Sequence, residues 1–156
     1  MLETESKAVY IGFCPTYTEN AGLRTLKGTE ASIDRLLAAL VARCKFTSRG
    51  VLSGASVTAD CIRESVTKLA SELPSDALVV INFCGHGVDF GGAHCLVADD
   101  GTIVPVQLLA SIVAKQVLER KLSNVQLVLV LDCCRGDAPS LDREIRVLWA
   151  YHSTRV

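Results

Sequence analysis

Two short stretches of the chain combine residue types that could carry out covalent chemistry. The first, Cys84–Gly87 (CGHG), places His86 between two glycines directly after the apolar run Ala77–Phe83. The second, Asp132–Gly136 (DCCRG), places two cysteines directly after the apolar run Val125–Leu131. A thiol and an imidazole are the minimal pair for acyl transfer, because the thiolate attacks a carbonyl carbon and the imidazolium protonates the leaving amine.

The elements that must position these stretches are predicted from the spacing of the apolar residues. Near-continuous apolar runs predict buried strands, and apolar residues three and four apart predict amphipathic helices. Strong strands are predicted at Lys7–Phe13, Ala77–Phe83 and Val125–Leu131, and helices at Glu30–Ala42, Ala59–Leu73 (with Thr58 as N-cap) and Pro105–Leu118. Weaker patterns predict a short strand within Lys45–Leu52, a hairpin containing Ala93–Ala98 with its turn at Asp99–Gly101, and a strand at Arg146–Tyr151.

Buried strands that alternate with helices predict an α/β fold, a three-layer sandwich with a mostly parallel central sheet. In such a sheet the loops at the carboxyl ends of the strands form the ligand site. If the two strands that precede the stretches are neighbours, His86 and a cysteine emerge at the same edge. The sequence therefore predicts a thiol and an imidazole within reach of each other.

Length and composition limit the classes of function. The 156 residues have the size of one domain, and we predict a single domain over 1–156 with a flexible linker at 137–144. The net charge of −1 and the 5% of aromatic residues argue against a nucleic-acid partner. No apolar run reaches the length of a membrane helix. Seven cysteines without a CxxC pair indicate reduced thiols and a cytoplasmic location.

Taken together, the two stretches resemble the caspase-like cysteine peptidases, which include caspases, paracaspases and metacaspases. Cys84–Gly87 is similar to the metacaspase S-G-H-G, Asp132–Cys134 to the metacaspase D-S-C, and Cys134–Gly136 to the caspase C-R-G. Cys134 lies 48 positions after His86 (134 − 86), which agrees with the spacing of the caspase signature. The resemblance covers most of the chain in the order of its elements and corresponds to the large-subunit (p20-like) region.

The resemblance implies a role for each residue of the two stretches. Cys134 would be the nucleophile and His86 the general acid and base of a thiol endopeptidase. The N–H groups of Gly87 and Cys134 would form the oxyanion hole. Asp132, with Cys84 beside it, would line the S1 pocket and select Arg or Lys at P1, because a carboxylate buried without a cationic partner is costly.

Several alternatives stay open at this point. Caspases cleave after aspartate, and Arg24 or Lys27 could line such a pocket here. The chain ends about where the small (p10-like) subunit of the family begins, so the domain could be a catalytically weak module that pairs through its sheet edge with such a chain, or with a second copy as a homo-oligomer. If P1 is basic, Arg143 or Arg146 could be a self-cleavage site. A nucleotide-binding domain is disfavoured, because the first stretch lacks both GxGxxG and the P-loop lysine.

The remaining cysteines, histidines and aspartates are expected to have structural roles. Cys133 should pack away from the cleft, because adjacent residues cannot both face it. His94 and His152 are expected on the surface or in loops. The histidines and cysteines lack the spacing of zinc ligands. Asp89 and the pair Asp99–Asp100 lack EF-hand spacing and are expected to be turn residues, so no cofactor is predicted, although calcium activates some metacaspases.

Overall fold

The computed structural model describes residues 7–17 and 22–133, and the backbone of residues 136–137. Cys134, most of the predicted linker and the predicted strand Arg146–Tyr151 lie outside the described residues. In chain order the elements are β1 (Ala8–Cys14), α1 (Thr29–Cys44), β2 (Thr47–Ser53), α2 (Ala59–Ser71), β3 (Leu78–Cys84), β4 (Gly87–Phe90), β5 (Ala93–Val97), β6 (Ile103–Pro105), α3 (Val106–Glu119), β7 (Gln126–Asp132) and β8 (Gly136–Asp137).

The central sheet contains the three strong strands that the sequence predicts, in a parallel arrangement; β1 and β3 are buried as predicted, whereas β7 is half-buried to exposed. Its order is β2-β1-β3-β7, and every neighbouring pair is parallel. The register pairs Ala8 with Leu78 and Leu78 with Gln126, so β1, β3 and β7 run side by side. At the other end Cys84 pairs with Asp132. The carboxyl ends of β3 and β7 therefore lie next to each other, as the sequence predicted.

Helices cover both faces of the central sheet. On one face, Tyr10 of β1 and Val80 of β3 pack with Ile33 of α1. On the other face, alternate residues of the same strands pack against α2 and α3; this core contains Val9, Ile11, Phe13, Val79, Ile81 and Phe83 from the sheet and Ile62, Val66, Leu69, Leu109 and Val113 from the helices. The alternation follows from the two-residue period of a strand. The three-layer α/β sandwich is thus confirmed.

The predicted helices and the predicted hairpin are present with small shifts in their bounds. Thr58 caps α2 as expected, since its hydroxyl accepts from the N–H of Cys61 at 3.2 Å. The turn at Asp99–Gly101 joins β5 to β6, and the N–H of Thr102 donates to Asp100 at 3.1 Å. None of the helices in the described ranges is long and apolar enough to cross a membrane.

A second, smaller sheet lies beside the carboxyl end of β3. Its order is β6-β5-β4-β8, with β4 antiparallel to β5 and parallel to β8. The sequence analysis predicted no strand between Phe83 and Ala93, whereas Gly87–Phe90 is a strand that turns back at Gly91 and Gly92. Both of these glycines have positive φ, which permits a tight turn there. The small sheet matters for function because it begins directly after His86.

Candidate active site

The backbone of His86 is held where β3 and β7 end. Only Gly85 separates His86 from Cys84, the last residue of β3. The N–H of Gly85 donates to the carbonyl of Asp132 in β7 at 3.1 Å. The carbonyl of His86 accepts from the N–H of Val97 in β5 at 3.0 Å. These two bonds fix the turn between the central sheet and the small sheet.

The imidazole of His86 is oriented by a backbone carbonyl from a distant loop. Its Nε2 lies 2.7 Å from the carbonyl oxygen of Arg24. Because a carbonyl oxygen only accepts, Nε2 carries the hydrogen in this contact, and the neutral ring keeps Nδ1 as its acceptor. A half-buried imidazole with one nitrogen occupied and the other able to take a proton is suited to general acid–base chemistry.

A buried tyrosine packs against the same imidazole. The ring centroids of Tyr17 and His86 are 4.4 Å apart, with the planes inclined by 55°. The Tyr17 hydroxyl accepts from the backbone N–H of His86 and donates to the carbonyl of Val97 at 3.0 Å. Burial raises the pKa of this hydroxyl, so it remains a donor at all ordinary pH values.

Gly85 is required by the close approach of this tyrosine. A Cβ atom built on Gly85 would collide with the Tyr17 hydroxyl and would lie 2.8 Å from Cζ of Phe83. The first glycine of the predicted CGHG motif therefore provides clearance for side chains that pack behind His86. Gly87, predicted to supply an oxyanion N–H, is the buried first residue of β4 and lies opposite Leu96 of β5.

The two predicted S1 residues contact each other. The Cys84 thiol donates to Oδ2 of Asp132 at 3.4 Å. Burial, with the Asp132 carboxylate as a second cause, raises the pKa of Cys84 to about 12, so Cys84 is a neutral thiol. The expectation that the Asp132 carboxylate is buried is wrong, because Asp132 is exposed at the end of β7. No lysine or arginine within residues 7–17 or 22–133 forms an ion pair with it.

Cys133 directly follows β7, is half-buried and packs against the core shared with α2 and α3. That Cys133 turns away from the cleft stays a prediction, because the neighbouring Cys134 lies outside the described residues. The expectation that His94 is a surface or loop residue is wrong. His94 belongs to β5, is half-buried, and places Nε2 3.3 Å from Sγ of Cys133. The cause is the small sheet, which brings β5 beside the end of β7.

No group of three or more His, Cys, Asp or Glu side chains in the described part of the chain is arranged to hold a metal ion. Asp99, predicted as a turn residue, does lie in the β5–β6 turn, whereas Asp89 lies in β4. The carboxylate of Asp99 is directed to the loop that carries Tyr17, where it accepts the N–H of Tyr17 at 2.5 Å.

Comparison with known proteins agrees with this arrangement. The sequence model of a protein family described as the caspase domain matches residues 7–151. The chain belongs to the caspase domain family. A search of the curated proteins returned no match. The resemblance to caspase-like cysteine peptidases is thus confirmed. Caspase-like domains act on protein substrates and often pair with other subunits.

Two residues of the caspase domain near His86 could not have been found from motifs. Arg24 contacts the imidazole through its backbone, which any residue type could supply. Tyr17 lies in a loop without a periodic pattern, 69 positions before His86. The one available signal was the glycine at position 85, which indicates a close approach without saying which side chain approaches.

Proposed function

We propose that this caspase domain is a cysteine endopeptidase in which Cys134 is the nucleophile and His86 is the general acid and base. The main support for this proposal is the position of His86, which lies at the paired ends of β3 and β7 and has its Nε2 held by the Arg24 carbonyl. Along the chain, His86 is two residues past Cys84 and Cys134 is two residues past its register partner Asp132. Both residues thus follow paired strand ends, and the proposal is that the Cys134 thiol exchanges its proton with Nδ1 of His86.

The proposed reaction balances with these two groups and water. The Cys134 thiol gives its proton to Nδ1 of His86, and the thiolate forms a bond to the carbonyl carbon of the scissile peptide. The carbon–nitrogen bond then breaks as His86 protonates the leaving amine, which leaves a thioester. Water attacks the thioester while His86 takes its proton, and the returning proton restores the thiol. This cycle requires no cofactor.

The proposal assigns the developing oxyanion to the N–H groups of Gly87 and Cys134. An N–H close to the acid–base residue can stabilise the negative charge of the tetrahedral intermediate, and losing one such donor costs on the order of 100-fold or more in kcat. Gly87 follows His86 directly and is buried, so its backbone position is set by β4.

The proposed specificity is for Arg or Lys at P1. Its support is the exposed carboxylate of Asp132, which has no cationic partner in the described part of the caspase domain. Cys84, the residue it contacts, remains neutral and does not compensate the charge. A guanidinium or ammonium at P1 would pair with this carboxylate.

The test uses fluorogenic peptides with Arg, Lys or Asp at P1. We expect turnover of the Arg and Lys peptides that is abolished in Cys134→Ala and in His86→Ala. The matched control is Cys133→Ala, which removes the adjacent thiol and should retain activity. An electrophilic Arg peptide should label Cys134 alone. Equal turnover by the wild type and Cys134→Ala would refute the proposal.

Cleavage after aspartate is the first alternative, and one contact favours it. Arg24 lies beside His86 through its backbone, and its side chain is exposed. If its guanidinium lines S1, Arg24→Gln will remove cleavage of the Asp peptide, whereas Asp132→Asn will not. If Asp132 is the selector, Asp132→Asn will instead remove cleavage of the Arg and Lys peptides.

A catalytically weak module that works by association is the second alternative. Within the described residues β7 is an edge strand of the central sheet, and Val128 is 45% exposed on it. An uncovered edge favours pairing with a second copy or a small-subunit chain. In this case the molar mass in solution will exceed that of one chain, Val128→Lys will reduce it, and the isolated monomer will not cleave peptides.

A further inference from the structure

We propose that Tyr17, held in place by Asp99, is a positioning residue for His86. The inference rests on the proposed role of His86 and extends it to two residues that no motif identifies. Neither residue would touch the substrate. Their effect would be to keep the imidazole at the end of β3 in the one orientation that allows proton transfer.

Tyr17 contacts both the backbone and the ring of His86. Its hydroxyl accepts the N–H of His86 and donates to the carbonyl of Val97, the residue whose own N–H binds the His86 carbonyl. Its ring lies 4.4 Å from the imidazole between centroids. Together with the Arg24 carbonyl on Nε2, these contacts restrict the imidazole from two sides.

The backbone of Tyr17 adopts a conformation that a bulky residue rarely adopts. Its φ is +60°, in the left-handed region. Such a conformation persists only where the surrounding structure enforces it, and it concentrates at functional sites. Tyr17 is also only 2% exposed, so the surrounding residues enclose its side chain and restrict its movement.

Asp99 supplies the enforcing contacts. It is 3% exposed, and its Oδ1 accepts the N–H of Thr16 at 2.9 Å and the N–H of Tyr17 at 2.5 Å. Charge-assisted bonds of this kind are about twice as strong as neutral ones. Asp99 is itself fixed by its N–H, which donates to the carbonyl of Val57 at 2.9 Å. The turn between β5 and β6 thus sets the position of Tyr17, which in turn sets the position of His86.

The experiment compares variants at both residues with a matched tyrosine. Tyr17→Phe removes the hydroxyl and keeps the ring, whereas Tyr17→Leu removes both. Tyr10→Phe is the control, because Tyr10 is also buried and its hydroxyl accepts from Asn82 at 3.0 Å on the α1 face, away from His86. Asp99→Asn retains an acceptor oxygen, whereas Asp99→Ala leaves two N–H groups without one.

The first measurement is the tautomer of the His86 ring, read by nitrogen-15 NMR with His94 and His152 as internal references. We expect the neutral ring to carry its hydrogen on Nε2 in the wild type, in Tyr10→Phe and in Asp99→Asn. In Tyr17→Leu and Asp99→Ala the ring should lose this preference and populate both tautomers. An unchanged tautomer in both of these folded variants would overturn the inference.

The second measurement separates kcat from KM for the best P1 peptide. We expect Tyr17→Phe to lower kcat about tenfold and Tyr17→Leu about 100-fold, since misplacing a reacting group by about 1 Å costs on that order. KM should stay within about twofold, because neither side chain would bind substrate. If Tyr10→Phe lowers kcat by the same factor, the loss of kcat in the Tyr17 variants reflects a general loss of stability, and the inference is overturned.

The two readouts distinguish the possible failures. If the wild type turns over no peptide but the tautomer responds to Tyr17 and Asp99 as described, positioning holds and the proposed peptidase function is wrong. If the wild type is active and neither tautomer nor kcat responds, the peptidase stands and positioning is wrong. Should Tyr17→Leu fail to fold, the pair Asp99→Asn and Asp99→Ala carries the same comparison.

Discussion

Position 85 requires glycine because neighbouring side chains pack closely against it. Because a Cβ there would collide with the Tyr17 hydroxyl and the Phe83 ring, Gly85→Ala should lower the free energy of unfolding by about 1–3 kcal/mol, the usual cost of overpacking. Urea denaturation measures it. Gly91→Asn is the control, since Gly91 has open space around it and Asn tolerates its positive φ. Equal stability of Gly85→Ala and the wild type would contradict the packing.

Cys84 is expected to be unreactive although it lies two residues before His86 in the candidate active site. With its pKa raised to about 12, roughly one molecule in 10,000 carries the Cys84 thiolate at pH 8. Iodoacetamide followed by peptide mapping should modify the exposed Cys44 and leave Cys84 unmodified in the native protein. The native labelling rate at Cys84 should rise about tenfold per pH unit above pH 8. Fast labelling at neutral pH would show that the thiol is not buried as described.

At the scale of elements, the start of α2 depends on one hydroxyl. Thr58→Ala should lower the free energy of unfolding by about 1 kcal/mol, because the N–H of Cys61 loses its acceptor. Thr58→Ser, which keeps the hydroxyl, should remain within about 0.5 kcal/mol of the wild type. The comparison is made by urea denaturation. A loss of the same size in both variants would point to the methyl group instead of the cap.

Strands and helices with a long regular pattern could be predicted from the sequence. The strands β1 and β3 are buried and apolar along nearly their whole length, because helices cover both faces of the sheet there. The strand β7 is also apolar, but its residues are half-buried or exposed. The strand β4 could not be predicted in this way. Gly87–Phe90 is only four residues long, begins with a glycine and is followed by two more, and its strand conformation depends on pairing with β5 and β8.

Only some of the contacts around His86 could be predicted from the sequence. The motif residues His86, Cys84 and Asp132 could be assigned to one sheet edge because each follows an apolar strand. The pairing of Asp99 with Tyr17 spans 82 positions and joins two loops, so no local pattern encodes it. The prediction for His94 was wrong for the same reason, since only the folded small sheet brings His94 into contact with Cys133.

For the molecule as a whole, the buried thiols predict that the folded state loses stability at alkaline pH. Burial raises the pKa of Cys14 to about 11 and that of Cys84 to about 12. Above pH 9 the unfolded chain therefore loses thiol protons that the folded chain keeps. The free energy of unfolding should fall with rising pH, by up to about 1.4 kcal/mol per pH unit for each thiol. Below pH 8 this contribution should be constant.

The measurement is urea denaturation at pH 8, 9 and 10. The double variant Cys14→Ala/Cys84→Ala should lose stability less steeply with pH than the wild type. Cys44→Ala, at an exposed position, should keep the wild-type slope. Slopes, not absolute stabilities, are compared, because removing a buried side chain also leaves a cavity. Identical slopes in all three proteins would contradict the expectation.

The order of the contacts along the chain determines when each half of the site can form during synthesis. The imidazole of His86 is held by Tyr17 and Arg24, and Tyr17 by Asp99, whereas β7 ends 33 residues after Asp99 (132 − 99). At about 5–20 residues per second, the ribosome adds those residues in about 2–7 s. A nascent chain can thus form the contacts of the His86 ring while β3 still has an unpaired edge, whereas the bond from Gly85 to Asp132 and the thiol of Cys134 require residues that are added later.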